Sequence, residues 1–167
     1  MGKTAKVLDA RQHTDRMNVG LTKDDRKELA EGLSKILVDT YRLLLKTHIY
    51  HWNVVGPLFH ALHTLTEEQY NALFSATDVI AERVRALGHH APSGRGVDTS
   101  IALDAPGRSA REMVEDLIAD HEEAVRKMRE VATAAEEKGD LVTTDMLTER
   151  MTFHEKTLWM LRAIVAQ

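Results

Sequence analysis

GHHAPSGRGVDTSIALDAPGR, residues 88–108, is the longest internal stretch of this chain that cannot continue a helix. It carries two of the three prolines and four of the nine glycines. Proline lacks the amide hydrogen that a helical ladder needs, and glycine loses the most backbone entropy in one. On its N-terminal side, Leu58, Leu62, Leu65, Leu73, Ile80, Val84 and Leu87 recur at the spacing of one helical face. That predicts a helix from about residue 58 to 87, stopped by Gly88. On its C-terminal side, Ser109-Ala-Arg-Glu112 reads as a capping box. It opens a helix with Met113, Leu117, Val125, Met128 and Val131 on its apolar side, running to about Lys138 and broken by Gly139.

Working further out, Thr22 is a candidate N-cap, with Asp24 and Asp25 placed where the helix dipole favours anions. Leu29, Leu33, Ile36, Leu37, Leu44 and His48 then predict a helix over roughly 22–54, ended by Gly56-Pro57. A fourth helix starts near Asp140 and runs to the C-terminus. The first and third connections are short, so each joins an antiparallel pair. The middle one, about 20 residues with room for one short helix, can cross the length of a bundle. An all-α, four-helix bundle with one long crossover is the ferritin-like arrangement. Residues 1–20 read as a polar tail and 21–167 as the bundle domain.

Composition narrows the chemistry. There is no cysteine, so any metal must be held by His, Asp and Glu, a ligand set that suits iron, manganese or zinc. No apolar run approaches the roughly 18 residues of a membrane span, and the N-terminus has no signal-like apolar core; a cytoplasmic location is expected. A net charge of −4 argues against a protein that binds nucleic acid over its whole surface.

The candidate chemical residues are His51, His63, Glu67, Asp78 and Glu82. On an ideal helix with His63 at 0°, Glu67 lies near ~40°, Asp78 near ~60° and Glu82 near ~100°. The apolar stripe centres near ~250°, so these groups face away from the chain's own core. Glu67 and Asp78 are about 16 Å apart along the axis, too far to share an ion within one chain. Two copies of this helix packed antiparallel about a two-fold axis near residues 72–73 would bring His63 and Glu67 of one chain to Asp78 and Glu82 of the other, twice over. His51 precedes the Gly56 turn by about as much as His63 follows it, so the two imidazoles can sit at similar height. Phe74, near ~20° on this face, suits a covered interface better than a wet surface.

Bland alternatives exist for each residue. A carboxylate-rich helix face is commonly just solvated, and single histidines such as His48, His51 and His60 are commonly core residues. No Glu is followed three residues later by His, so the intrachain di-iron centre of full-size ferritin-like proteins is not supported.

The run His51-Trp-Asn-Val-Val-Gly-Pro-Leu-Phe59-His-Ala-Leu-His63, followed by Asp78-Val-Ile-Ala-Glu82-Arg83, resembles the signature of the Dps family, DNA-binding proteins from starved cells. Gly139-Asp140, Asp145 and His154-Glu-Lys-Thr-Leu-Trp-Met-Leu-Arg162-Ala resemble it too, and the similarity covers about residues 17–167. The resemblance implies dimers assembled into a hollow dodecamer. It implies a ferroxidase that takes Fe²⁺ and preferably H₂O₂ as substrates, stores ferric iron as a mineral and suppresses hydroxyl-radical formation. By position, His51 and His63 become nitrogen ligands, with Asp78 and Glu82 donated by the neighbouring chain. Glu67 departs from the more usual Asp, which leaves the geometry and occupancy of a second iron open. Trp52 lies beside the site, placed to intercept oxidising equivalents. Asp140, Asp145 and Glu149 match the acidic positions of the family's three-fold entry pores; the alternative for Asp140 is a helix cap.

Some family members bind DNA through a Lys-rich tail. Here Lys3, Lys6, Arg11 and Arg16 oppose Asp9 and Asp15, four positive against two negative charges, a balance of +2. DNA contact through this tail, with a nucleoid-associated location, stands beside an inert, solvated tail. Two further readings remain: a mainly architectural DNA-binding shell with weak ferroxidase activity, and a helical interaction module without metal. Roles for His89, His90 and His121 are left open.

Overall fold

The computed structural model describes Thr14, residues 17–92 and residues 107–166. These form α1 (Lys23–Asn53), α2 (Phe59–Ala86), α3 (Ala110–Glu137) and α4 (Leu141–Val165), with no strand among the described residues. The expected all-α bundle is observed, and each helix lies within a residue or two of its expected span. The tail residues Lys3, Lys6, Arg11 and Arg16, and the short helix allowed for inside the crossover, lie outside the described residues.

The helix ends follow from local chemistry. The Thr22 hydroxyl accepts the Asp25 amide at 3.1 Å and caps α1. Ser109 and Glu112 form the reciprocal capping box that opens α3. At the end of α2, the Gly88 amide donates to Arg85 O and the His89 amide to Val84 O. At the end of α3, Gly139 and Asp140 repeat the pattern to Glu136 and Ala135. This pair of hydrogen bonds satisfies the last carbonyls only if the intervening residue is left-handed, and Gly88 and Gly139 have φ of 87° and 75°.

α1 packs mainly on α2 and α3 on α4, with α1 also lying against α3. The interior divides into two apolar clusters. One holds Leu29, Leu33, Ile36, Ile80, Val84, Met128 and Leu147. The other holds Leu43, Tyr50, Leu62, Leu73, Leu117 and Leu161. Between them each cluster runs out on α1, α3 and α4, and the buried residues there are polar: Thr40, His121 and His154.

A buried ion network ties α1 to α3. The Lys46 ammonium, almost wholly buried, lies 3.0 Å from the Asp116 carboxylate and 2.5 Å from that of Asp120. The Tyr50 hydroxyl donates to Asp116 at 2.5 Å. Burial raises the Tyr50 phenol well above its ordinary range, and its bond to Asp116 adds to this. Burial alone would raise Asp116, but the Tyr50 and Lys46 hydrogen bonds outweigh it and hold the carboxyl below its usual value. The network anchors the turn of α1 that carries the next residue, His51.

Candidate metal centre

His51 ends α1 and His63 begins α2, and the tight turn through Gly56 brings them ring to ring. Their centroids are 3.7 Å apart with 18° between planes. His51 Nδ1 is 2.8 Å from the His63 carbonyl oxygen, and His63 Nδ1 is 2.9 Å from that of His51. A carbonyl can only accept, so each Nδ1 carries the proton and donates it. In the neutral rings each Nε2 therefore keeps a lone pair for a metal. The Thr66 hydroxyl donates to Leu62 O at 2.7 Å and is 3.1 Å from the His63 carbonyl, filling the space beneath the pair.

A column of rings surrounds them. Phe59 stacks on His63 at 5.0 Å, and Tyr70 meets His51 edge-on at 5.2 Å. His48 lies between Tyr70 and Trp52, at 4.2 and 4.1 Å. Burial, and then the neighbouring His51, lower the His48 pKa. Trp52 itself is 60% exposed.

Glu67, Asp78 and Glu82 are all exposed on α2, and their carboxylates take no hydrogen bond or ion pair from the described residues. Phe74, between them in sequence, is 64% exposed. Among the described residues no three His, Asp or Glu side chains converge closely enough to hold a metal ion within one chain. One subunit thus offers two oriented imidazoles beside Glu67 at one end of an exposed face, and Asp78 with Glu82 towards the other.

The acidic residues of α4 separate into two kinds. Asp140 is 4% exposed. Its carboxylate accepts the Thr143 amide at 3.0 Å and the Thr143 hydroxyl at 2.6 Å, so it caps α4. Arg83 Nη2 donates to both of its oxygens, at 2.7 and 2.9 Å. Burial would raise this carboxyl; bonds from Thr143 and Arg83 outweigh it and leave the pKa lowered. Asp145 and Glu149 instead line an open hollow of about 700 Å³ with Val79, Leu141, Val142 and Thr148.

Residues 30–167 match the model of the ferritin-like domain. The chain is 41% identical over 157 residues to an uncharacterized low temperature-induced protein of Nostoc sp., covering 90% of this chain and 87% of that one. It is 36% identical over 149 residues to DNA protection during starvation protein 2 of Bacillus anthracis, covering 84% and 99%. The chain belongs to the Dps family of ferritin-like proteins. Its fold matches the crystal structure of the Dps protein from Vibrio cholerae O1, a member of a broad superfamily of ferritin-like diiron-carboxylate proteins. That match has a TM-score of 0.79 at 25% identity, over 94% of this chain and 100% of that one. Among the described residues no Dps helix here is long and apolar enough to cross a membrane.

The aromatic partners of the imidazoles were only partly legible in the sequence. Tyr70 and Trp52 stand out by proximity, whereas His48 and Phe59 join the column only through the α1–α2 pairing.

Proposed function

We propose that this chain is a ferroxidase and iron-storage subunit that assembles through two-fold dimers into a hollow dodecamer. The observation that carries the reading is the reciprocal His51–His63 lock. It spends both Nδ1 protons on backbone carbonyls and leaves both Nε2 lone pairs for a metal. Fe²⁺ is the substrate. Antiparallel pairing of two α2 helices would complete each site with Asp78 and Glu82 of the neighbouring subunit, and Glu67 would supply the local carboxylate. Imidazole and carboxylate together suit ferrous iron, and carboxylates favour the ferric product.

Each ferrous ion gives up one electron, so two are needed to reduce one peroxide to water. The residues of this chain would hold the ions and balance their charge, and the two carbonyl bonds orient the imidazoles. Peroxide is the preferred oxidant in this reading, and ferric mineral collects inside the shell. Asp145 and Glu149 would concentrate Fe²⁺ at an entry pore, since repeated copies of like charge focus the potential. Asp140 would support that pore as the cap of α4 and the anchor of Arg83. Removing iron and peroxide together would protect DNA, which accords with the name of the Bacillus relative.

The decisive experiment follows ferrous oxidation at the ferric absorbance band, with peroxide and separately with air, in the wild type and in Asp78→Ala/Glu82→Ala. Fast peroxide-driven oxidation that the double variant loses supports the shared site. A wild type no faster than buffer sinks it, and leaves an architectural DNA-binding shell as the reading to pursue.

A further inference from the structure

A second pair of histidines lies inside the bundle, remote in sequence from the interface residues. His121 of α3 and His154 of α4 are 0% and 1% exposed. Their Nδ1 atoms are 2.8 Å apart. Nitrogens at that distance share one hydrogen, so one ring donates and the other accepts. Both Nε2 atoms are buried with no hydrogen-bond partner among the described residues. His154 also lines a cavity of about 10 Å³, together with Ile36, Thr40, Leu43 and Met128. That volume is about one water molecule.

The surrounding charges are unfavourable to any added proton. Arg150, on α4 beside the pair, is cationic, and its Nε and Nη2 are themselves buried without partners. Lys127 of α3, at the cavity edge, is bound at 2.8 Å by Asp39 of α1 and at 2.7 Å by Glu123 of α3. Asp120, next to His121, turns to Lys46 of α1. α2 buries only neutral side chains: Leu62, Thr66, Gln69, Leu73, Ala76, Thr77, Ile80 and Val84. Among the described residues no carboxylate is bonded to either imidazole. Burial, and then Arg150, lower His121 to about 3. Burial, then His121 and Arg150, lower His154 to about 2.

We propose that the His121–His154 pair is an acid-sensitive release that clasps α3 to α4 through one shared proton and opens when both rings are charged. A first added proton goes to the bare Nε2 of the donor ring, and the bridge survives it. A second must go to the accepting Nδ1, which sets two N–H groups against each other and breaks the bridge. Opening is therefore cooperative in two protons. In the unfolded chain both rings titrate near about 6.5. Their folded values are lower, so stability is complete above about pH 6.5 and falls as pH drops below it. At pH 5 the two rings together shift the equilibrium towards the open state roughly a thousandfold relative to pH 8. The pair acts independently of iron oxidation.

The test is acid titration of the metal-free, full-length protein, followed by far-ultraviolet circular dichroism and size-exclusion chromatography. His121→Gln/His154→Gln is compared with the wild type. The acid midpoint of the variant is expected to move down by about one pH unit, with the transition less steep. An unchanged midpoint and steepness would overturn the proposal. Should the variant not fold, imidazole proton resonances of the wild type decide. An accepting ring that stays neutral until the transition and charges with it supports the release. Two rings that titrate independently near pH 6.5 in the folded protein refute it.

Discussion

Arg83 sits one residue beyond Glu82 on α2, and its guanidinium holds both oxygens of Asp140, the cap of α4, at 2.7 and 2.9 Å. The same guanidinium donates through Nε to the Thr143 hydroxyl at 2.9 Å. The helix that carries Asp78 and Glu82 is thereby pinned to the start of the helix that presents Asp145 and Glu149. Asp140→Ala removes a cap and strands a largely buried cation together. A loss of about 2–4 kcal/mol is expected, read from urea unfolding at neutral pH.

Asp145→Asn/Glu149→Gln should behave differently. Both side chains are exposed, so the unfolding midpoint should stay close to that of the wild type. Ferrous oxidation at low salt should slow several-fold, and the difference should shrink as salt screens the field. Equal rates at low and high salt would exclude the pore role for these two residues.

The His51–His63 pair makes a fluorescence prediction. Trp52 packs against His48 at 4.1 Å, within one ring of His51. In a Trp159→Phe background Trp52 is the remaining tryptophan, since the chain has two. Anaerobic Fe²⁺ should then quench its emission. Adding His51→Ala and His63→Ala should weaken the apparent affinity by at least about tenfold. Quenching that persists at the same iron concentration would place the metal elsewhere.

Tyr50→Phe tests the network beneath the site. It deletes a hydrogen bond to a charged carboxylate, and about 1.5–3 kcal/mol should be lost at pH 7. Asp116 titrates below its ordinary value in the folded protein. Its contribution is present above the unfolded pKa and disappears as pH falls through the folded one. The variant and wild type should therefore converge in stability at strongly acid pH; a constant gap would show that the loss is packing and not the bond.

The DNA reading has its own measurement. Deleting residues 1–16 removes four basic and two acidic side chains. If the tail binds phosphates, gel shifts of a DNA duplex should weaken on deletion and fade steeply with salt in the intact protein. Shifts that are identical with and without the tail would assign any DNA contact to the shell itself.

The helices, their caps and the hairpin pairing were legible in the sequence because their causes are local. Leu, Ile and Val at helical spacing, Thr22 and Ser109 as caps, and Gly88 and Gly139 as stops act on neighbours within a few residues. The spacing of Glu67 and Asp78, about 16 Å along α2, argued in the same way that these two cannot share an ion within one chain. Three things needed the tertiary structure. The tautomers of His51 and His63 depend on two carbonyls brought together only by the α1–α2 turn. Asp140 was open between pore and cap by sequence; its burial against Arg83, 57 positions away, makes it a cap and a clamp. The role of His121 was open by sequence, and only the packing of α3 on α4 brings it to His154 and encloses the pair between two apolar clusters. Periodicity reports which face of a helix is apolar, whereas desolvation depends on what the other helices place over it.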